Sequence, residues 1–213
     1  MEIRAYDEDY LSGAQYILGH AADFAIVTLG IAPDTFGNAF AVSDISKQFA
    51  NGNPKYIAGI NGCELARAVL NSAGVSFADA EDAMYLDKSP EYWAGWALAF
   101  YQWYRAVSFG EILDMVPFSK VINMYHPYHE MDILQFVDAL DGIRNTLESP
   151  TRLRKMREIN GYSQSELAEY SGVSVRQIQL FEQKQRDINK AAAETLLRLS
   201  KALNCKMEEL IEL

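Results

Sequence analysis

The sequence predicts an all-α protein built from two domains, and three observations carry that prediction. Hardly any stretch alternates apolar and polar residues with period two, so strands have little support. Apolar residues instead recur at helical spacing between clear start and stop signals. The charge also changes sign along the chain. The 213 residues carry a net charge of −10, yet the segment from Pro150 onward holds 11 Lys and Arg against 9 Asp and Glu, a net of +2. The first 149 residues therefore carry −12. The expected division is an acidic helical domain at 1–148 and a basic one at 149–213.

Composition narrows the class. With 49% hydrophobic and 23% charged residues the chain reads as folded rather than disordered. No segment reaches the roughly eighteen apolar residues of a membrane helix. The acidic start MEIRAYDEDY lacks the basic and apolar regions of a secretory signal. Two cysteines, Cys63 and Cys205, make no disulfide framework. The expectation is a cytoplasmic protein.

Elements follow in order. A helix from about Asp9 to Leu29 stops at Gly30, and a second starts at Pro33 and reaches Ala50 with a break. Asn51-Gly52-Asn53-Pro54 is turn chemistry, as is Asn61-Gly62 before a helix over Cys63–Ala73. Ser89-Pro90-Glu91 supplies a cap, a proline at the first turn and an acid facing the helix dipole. The helix that follows, through Trp93, Trp96 and Trp103 to Tyr104, is apolar nearly all round and should be the buried central helix. The same aromatic run admits a ligand pocket near Trp93, Trp96 and Trp103, although plain core is the commoner use of such a helix. Two shorter helices flank a turn at Met124–Glu130, and a last one spans about Met131 to Leu147.

The C-terminal punctuation is denser. Thr151–Asn160 reads as a basic helix stopped by Gly161. Ser163 caps a second helix and forms a capping box with Glu166. Ser171-Gly172-Val173 is a tight turn in which glycine can take positive φ. Ser174 caps a third helix, Val175–Gln183, with Ile178 and Phe181 facing inward. A polar, basic loop at Lys184–Asn189 leads to a fourth helix carrying Leu196, Leu199 and Leu203, and a fifth short helix presents Met207, Leu210 and Ile211. Two short helices joined by a small-residue turn can place the second in a DNA major groove, where every base pair shows a distinct donor and acceptor pattern.

This stretch, Thr151 to Glu212, resembles the XRE family of Cro-like and phage-repressor-like helix-turn-helix domains. The residues that carry the resemblance are Ser163-Gln164-Ser165-Glu166-Leu167-Ala168, Gly172-Val173-Ser174, Ile178, Phe181-Glu182, and the Leu196…Leu203 and Met207…Leu210 pattern. The resemblance implies a lambda-repressor-like five-helix fold and double-stranded operator DNA as partner, bound by a homodimer. It also implies roles for particular side chains. Ser163 and Gln164 start the second helix, where phosphate or a base edge is met. Ser174, Val175, Arg176 and Gln177 open the recognition helix, with Gln179 and Leu180 further along. Arg176 suits guanine, Gln177 adenine and Val175 a thymine methyl. Lys184, Gln185 and Arg186 belong to the loop that rides on phosphate. Leu180 departs from the family, which places a polar or basic residue there; it reads methyl groups or faces protein. A protein-docking module is the alternative use of such a domain, since a net of +2 is modest for a DNA binder.

Gly52-Asn53-Pro54-Lys55-Tyr56 and the run Ser89 to Tyr104 resemble uncharacterised antitoxin-like regulators, which implies a toxin partner bound by residues 1–148. No phosphate loop, dinucleotide fingerprint, nucleophile elbow or zinc protease motif occurs, so neither an enzyme nor a cofactor is expected. His126, His129 and Glu130 lie close in sequence, but a polar turn explains them better than a metal site. His20, on the first helix, is expected at the surface or half-buried, and Cys63 as a small buried residue.

Overall fold

The computed structural model describes residues 4–83 and 87–212, and among them there is no strand. The fold is all-α. Its contacts divide into two compact units, Met1–Arg144 and Asn145–Leu213. The division falls inside the last turn of a helix that runs to Glu148, just before Ser149-Pro150. No helix of the described residues is long and apolar enough to cross a membrane.

The first unit is organised around two helices. A short 3-10 turn, Glu8–Tyr10, precedes α1 (Leu11–Asp23), which runs on through a π-turn at Phe24–Thr28 to Gly30 at φ 68°. The helix expected over Pro33–Ala50 is two, α2 (Pro33–Val42) and α3 (Asp44–Ala50), because Ser43 is extended and its hydroxyl caps the second. Then come α4 (Pro54–Ile57), α5 (Gly62–Ser72) and α6 (Pro90–Arg105). The remainder comprises α7 (Phe109–Met115), α8 (Phe118–Asn123), α9 (Tyr125–Tyr128) and α10 (Ile133–Glu148). The expected turn at 124–130 thus contains a short helix of its own.

α1 and α6 pack backbone against backbone. A Cβ on Gly95 would meet the Leu18 carbonyl oxygen at 2.5 Å, and one on Gly19 would meet the Tyr92 carbonyl oxygen at 2.9 Å. Only glycine fits at either place. A phenylalanine cluster, with Phe40 and Phe109 rings 4.8 Å apart and Phe36, Phe49 and Phe118 around them, fills the space between α2, α3, α7 and α8.

α6 is the buried central helix, with one exception. Trp93, Tyr101 and Trp103 are buried, but Tyr92, Trp96, Phe100 and Tyr104 are only half-buried. These four stand four residues apart and form one aromatic stripe. Trp103 lies apart from the other two tryptophans in its contacts: its Nε1 donates to the Tyr6 carbonyl at 2.8 Å and the Arg4 guanidinium covers its ring. Tyr101 donates to Asp141 at 3.0 Å, and Asp141 also pairs with Arg105. Burial first, and the Asp141 bond next, push the Tyr101 phenol up to about 12.

His20 differs from expectation. It is 5% exposed, on the face of α1 that packs on α5, and its Nε2 lies 2.9 Å from the Ala83 carbonyl oxygen. Cys63 is buried at the start of α5. His129 uses Nδ1 on the Tyr125 carbonyl at 2.9 Å and stacks on the Tyr125 ring.

Candidate nucleic-acid interface

The second unit is built by local rules that the sequence spells out. Thr151 caps α11 (Arg152–Ile159), and Gly161 follows at φ 72°. Ser163 caps α12 (Gln164–Ser171): the Glu166 N–H donates to Ser163 Oγ at 3.2 Å, and the Ser163 N–H donates back to the Glu166 carboxylate at 2.7 Å. Those bonds from Ser163 hold the Glu166 carboxyl below its usual range. Gly172 takes φ 68° and ends α12 in the left-handed conformation. The Ser171 hydroxyl donates to the Leu167 carbonyl and accepts from the Val173 N–H, closing the corner. Ser174 then caps α13 (Val175–Glu182). Two stretches differ from expectation. The polar loop after α13 buries Ile188 in a 3-10 turn, Ile188–Lys190, before α14 (Ala193–Ala202). The fifth helix is only a 3-10 turn, Met207–Glu209, which still brings Leu210 into the core.

The core explains how α13 is aimed. Ile178 and Phe181 are buried with Leu153, Leu167, Val173, Leu196, Leu199 and Leu203. At 100° per residue, the positions opposite Ile178 are Arg176, Leu180 and Gln183. Arg176 and Gln183 are exposed and Leu180 is half-buried. Gln183 was not singled out from the sequence, although its spacing from Arg176 and Leu180 places it on that stripe. Val175, Gln177 and Gln179 flank the stripe, half-buried, and Ser174 is exposed at its head. Arg154, Arg157 and Arg198 each pair with a glutamate of the same unit. Arg176 makes no ion pair among the described residues.

A buried ion pair fixes the two ends of the motif. Arg157 Nε and Nη2 donate to the two oxygens of Glu182 at 2.7 and 2.9 Å, and Glu182 also accepts from Gln164 Nε2 at 2.8 Å. The carboxylate keeps the Arg157 guanidinium firmly protonated. Gln164 is therefore held at the start of α12 by the end of α13. The pairing of Glu182 with Arg157 is not legible in the sequence, because the two residues stand 25 apart.

The following loop is less simply disposed. Arg186 lies over the Phe181 ring, 5.7 Å from its centroid, and its N–H donates to the Leu180 carbonyl. Lys184 has φ 56°, and its ammonium donates to the Thr146 and Leu147 carbonyls at the end of α10.

Helix, tight turn, capped second helix and outward stripe together define a helix-turn-helix domain. Residues 153–210 match the helix-turn-helix family model, in line with the resemblance to the XRE type. No curated protein and no solved structure matches the chain.

Proposed function

We propose that the protein is a transcriptional repressor that binds an operator as a homodimer and acts on its own operon. The observation that carries the reading is Arg176, exposed and without an ion-pair partner among the described residues, on the outer stripe of a capped, core-anchored helix. In this reading Ser174, Val175, Arg176, Gln177, Gln179 and Leu180 meet the major groove. Ser163, Gln164, Lys184 and Arg186 meet the phosphates, and residues 149–213 form the DNA-binding part. Two copies of α13 would meet grooves about 34 Å apart, one turn of duplex. The test is footprinting of the purified protein, at low salt, on the region upstream of its operon. A protected, two-fold symmetric site is expected; an unprotected region would overturn the reading.

The charge of −12 on residues 1–149 favours a second, compatible role, in which residues 1–148 bind and neutralise a basic toxin protein. Such a pair would associate quickly and with strong salt dependence. Co-expression with the products of neighbouring genes tests it. Co-purification of one of them, released by raised salt, is the expected result.

A further inference from the structure

A cleft of about 450 Å³ opens on the first unit between the start of α6 and the region of α9. That volume lies within the range of small-molecule sites. Its walls are aromatic. Trp93 and Trp96 stand one turn apart on α6 beside Tyr92, and Tyr125 and His129 come from the other side of the cleft, their rings stacked with centroids 3.9 Å apart. Trp93 is locked in place by edge contacts with Tyr125 at 5.8 Å and Phe136 at 5.3 Å. These faces suit a flat ring, since aromatic pairs stack offset or meet edge to face.

The charge of the cleft is the reverse of its surroundings. Residues 1–149 carry −12, yet among the described residues no carboxylate lines the cleft. Among the described residues its one permanent charge is the Lys88 ammonium, 4.2 Å from the Tyr92 ring centroid. His129 Nδ1 is committed to the Tyr125 carbonyl, and Glu130, outside the lining, lies 3.5 Å from His129 Nε2. Burial raises the Tyr92 phenol, so it stays a hydrogen-bond donor rather than an anion. A cationic ring would meet the Lys88 charge head-on, whereas an anionic one would be drawn to it.

We propose that this cleft binds a planar aromatic carboxylate, with its ring against Trp96 and Tyr125 and its carboxylate on Lys88. The test is calorimetric titration of the full chain with indole-3-acetate, with tryptamine, which has the same ring on a cationic chain, and with uncharged 3-methylindole. Saturable one-to-one binding of indole-3-acetate is expected, at least about tenfold tighter than tryptamine. Lys88→Glu should reverse the order of the two charged probes; Lys88 is exposed, so its replacement spares the fold. In NMR spectra the Trp96 indole N–H should move on titration, while that of Trp103, bonded to Tyr6, should stay. Equal affinity for all three probes, no saturable binding, an unchanged order in Lys88→Glu, or a Trp103 shift as large as that of Trp96 would each overturn the proposal. No DNA enters the titration, so its failure leaves the repressor reading standing.

Discussion

Arg157 and Glu182 join α11, the first helix of the second unit, to the last turn of α13 through two parallel hydrogen bonds. The Glu182 side chain is 3% exposed and that of Arg157 11%. Removing one partner leaves a buried charge unmatched, which typically costs 3–5 kcal/mol, whereas removing both is far less damaging. Glu182→Leu should therefore destabilise the unit by about 3 kcal/mol. The double variant Arg157→Met/Glu182→Leu should recover much of that loss. Hydrogen exchange of α11 and α13 in the full chain measures both. A double variant no more stable than the single one would mean that the pair is not the origin of the effect.

Gly172 offers a cleaner case of backbone strain. A Cβ there meets nothing closer than Arg198 Nη1 at 3.6 Å, so crowding is absent and only the positive φ matters. Gly172→Ala should cost about 1 kcal/mol, from the left-handed penalty of a residue with a Cβ. Gly172→Asn should cost less, since asparagine tolerates that region. Chemical denaturation followed by a probe in the second unit reads the order of the three proteins.

Arg176→Ala should weaken operator binding by about 1–3 kcal/mol and relax the choice of one base pair, because a bidentate guanine contact is lost. Binding to a panel of single-base operator variants is the measurement. Uniform weakening across the panel would reduce Arg176 to a phosphate contact.

Lys184 and Arg186 should differ although both sit in the loop proposed to meet the phosphates. To reach DNA, the Lys184 ammonium must leave the Thr146 and Leu147 carbonyls. Lys184→Gln should accordingly cost less affinity at low salt than Arg186→Gln. Each should lower the slope of log affinity against log salt by about 1. Titrations at several salt concentrations separate the two.

Two lowered carboxyls of the second unit make a pH prediction. Bonds from Ser163 lower Glu166, and the Arg154 guanidinium lowers Glu158. A carboxyl lowered in the folded state binds its proton more readily when unfolded. The stability it contributes is complete above the ordinary value of 4.5 and is lost as pH falls through the folded value below it. Unfolding midpoints of the second unit should stay level from neutral pH down to about 5 and decline below 4.5. Glu166→Gln should flatten part of that decline.

What the sequence made legible was local. Ser163 with Glu166, Gly172 and Ser174 act within four residues of themselves, so their spacing alone reveals cap, box and turn. The inward face of α13 was equally readable, because Ile178 and Phe181 declare it. Contacts between distant residues were not readable. The Arg157–Glu182 pair, the burial of His20 under Ala83, and the meeting of Trp93 with Tyr125 all depend on how helices cross. The three tryptophans illustrate the limit. They share one helix, but Trp103 lies seven residues beyond Trp96, roughly 10 Å along the axis, and there it meets the N-terminal segment instead of α9.

The bare crossing of α1 and α6 has a mechanical consequence. With main chain resting on main chain at Gly95, and the Tyr92 carbonyl and ring both against Gly19, the crossing leaves little room for one rod to slide or roll on the other. The indoles of Trp93 and Trp96 are thus mounted on a bearing without play. A guest in their cleft would find its seat already cut, and its arrival should be set by diffusion rather than by rearrangement of the host.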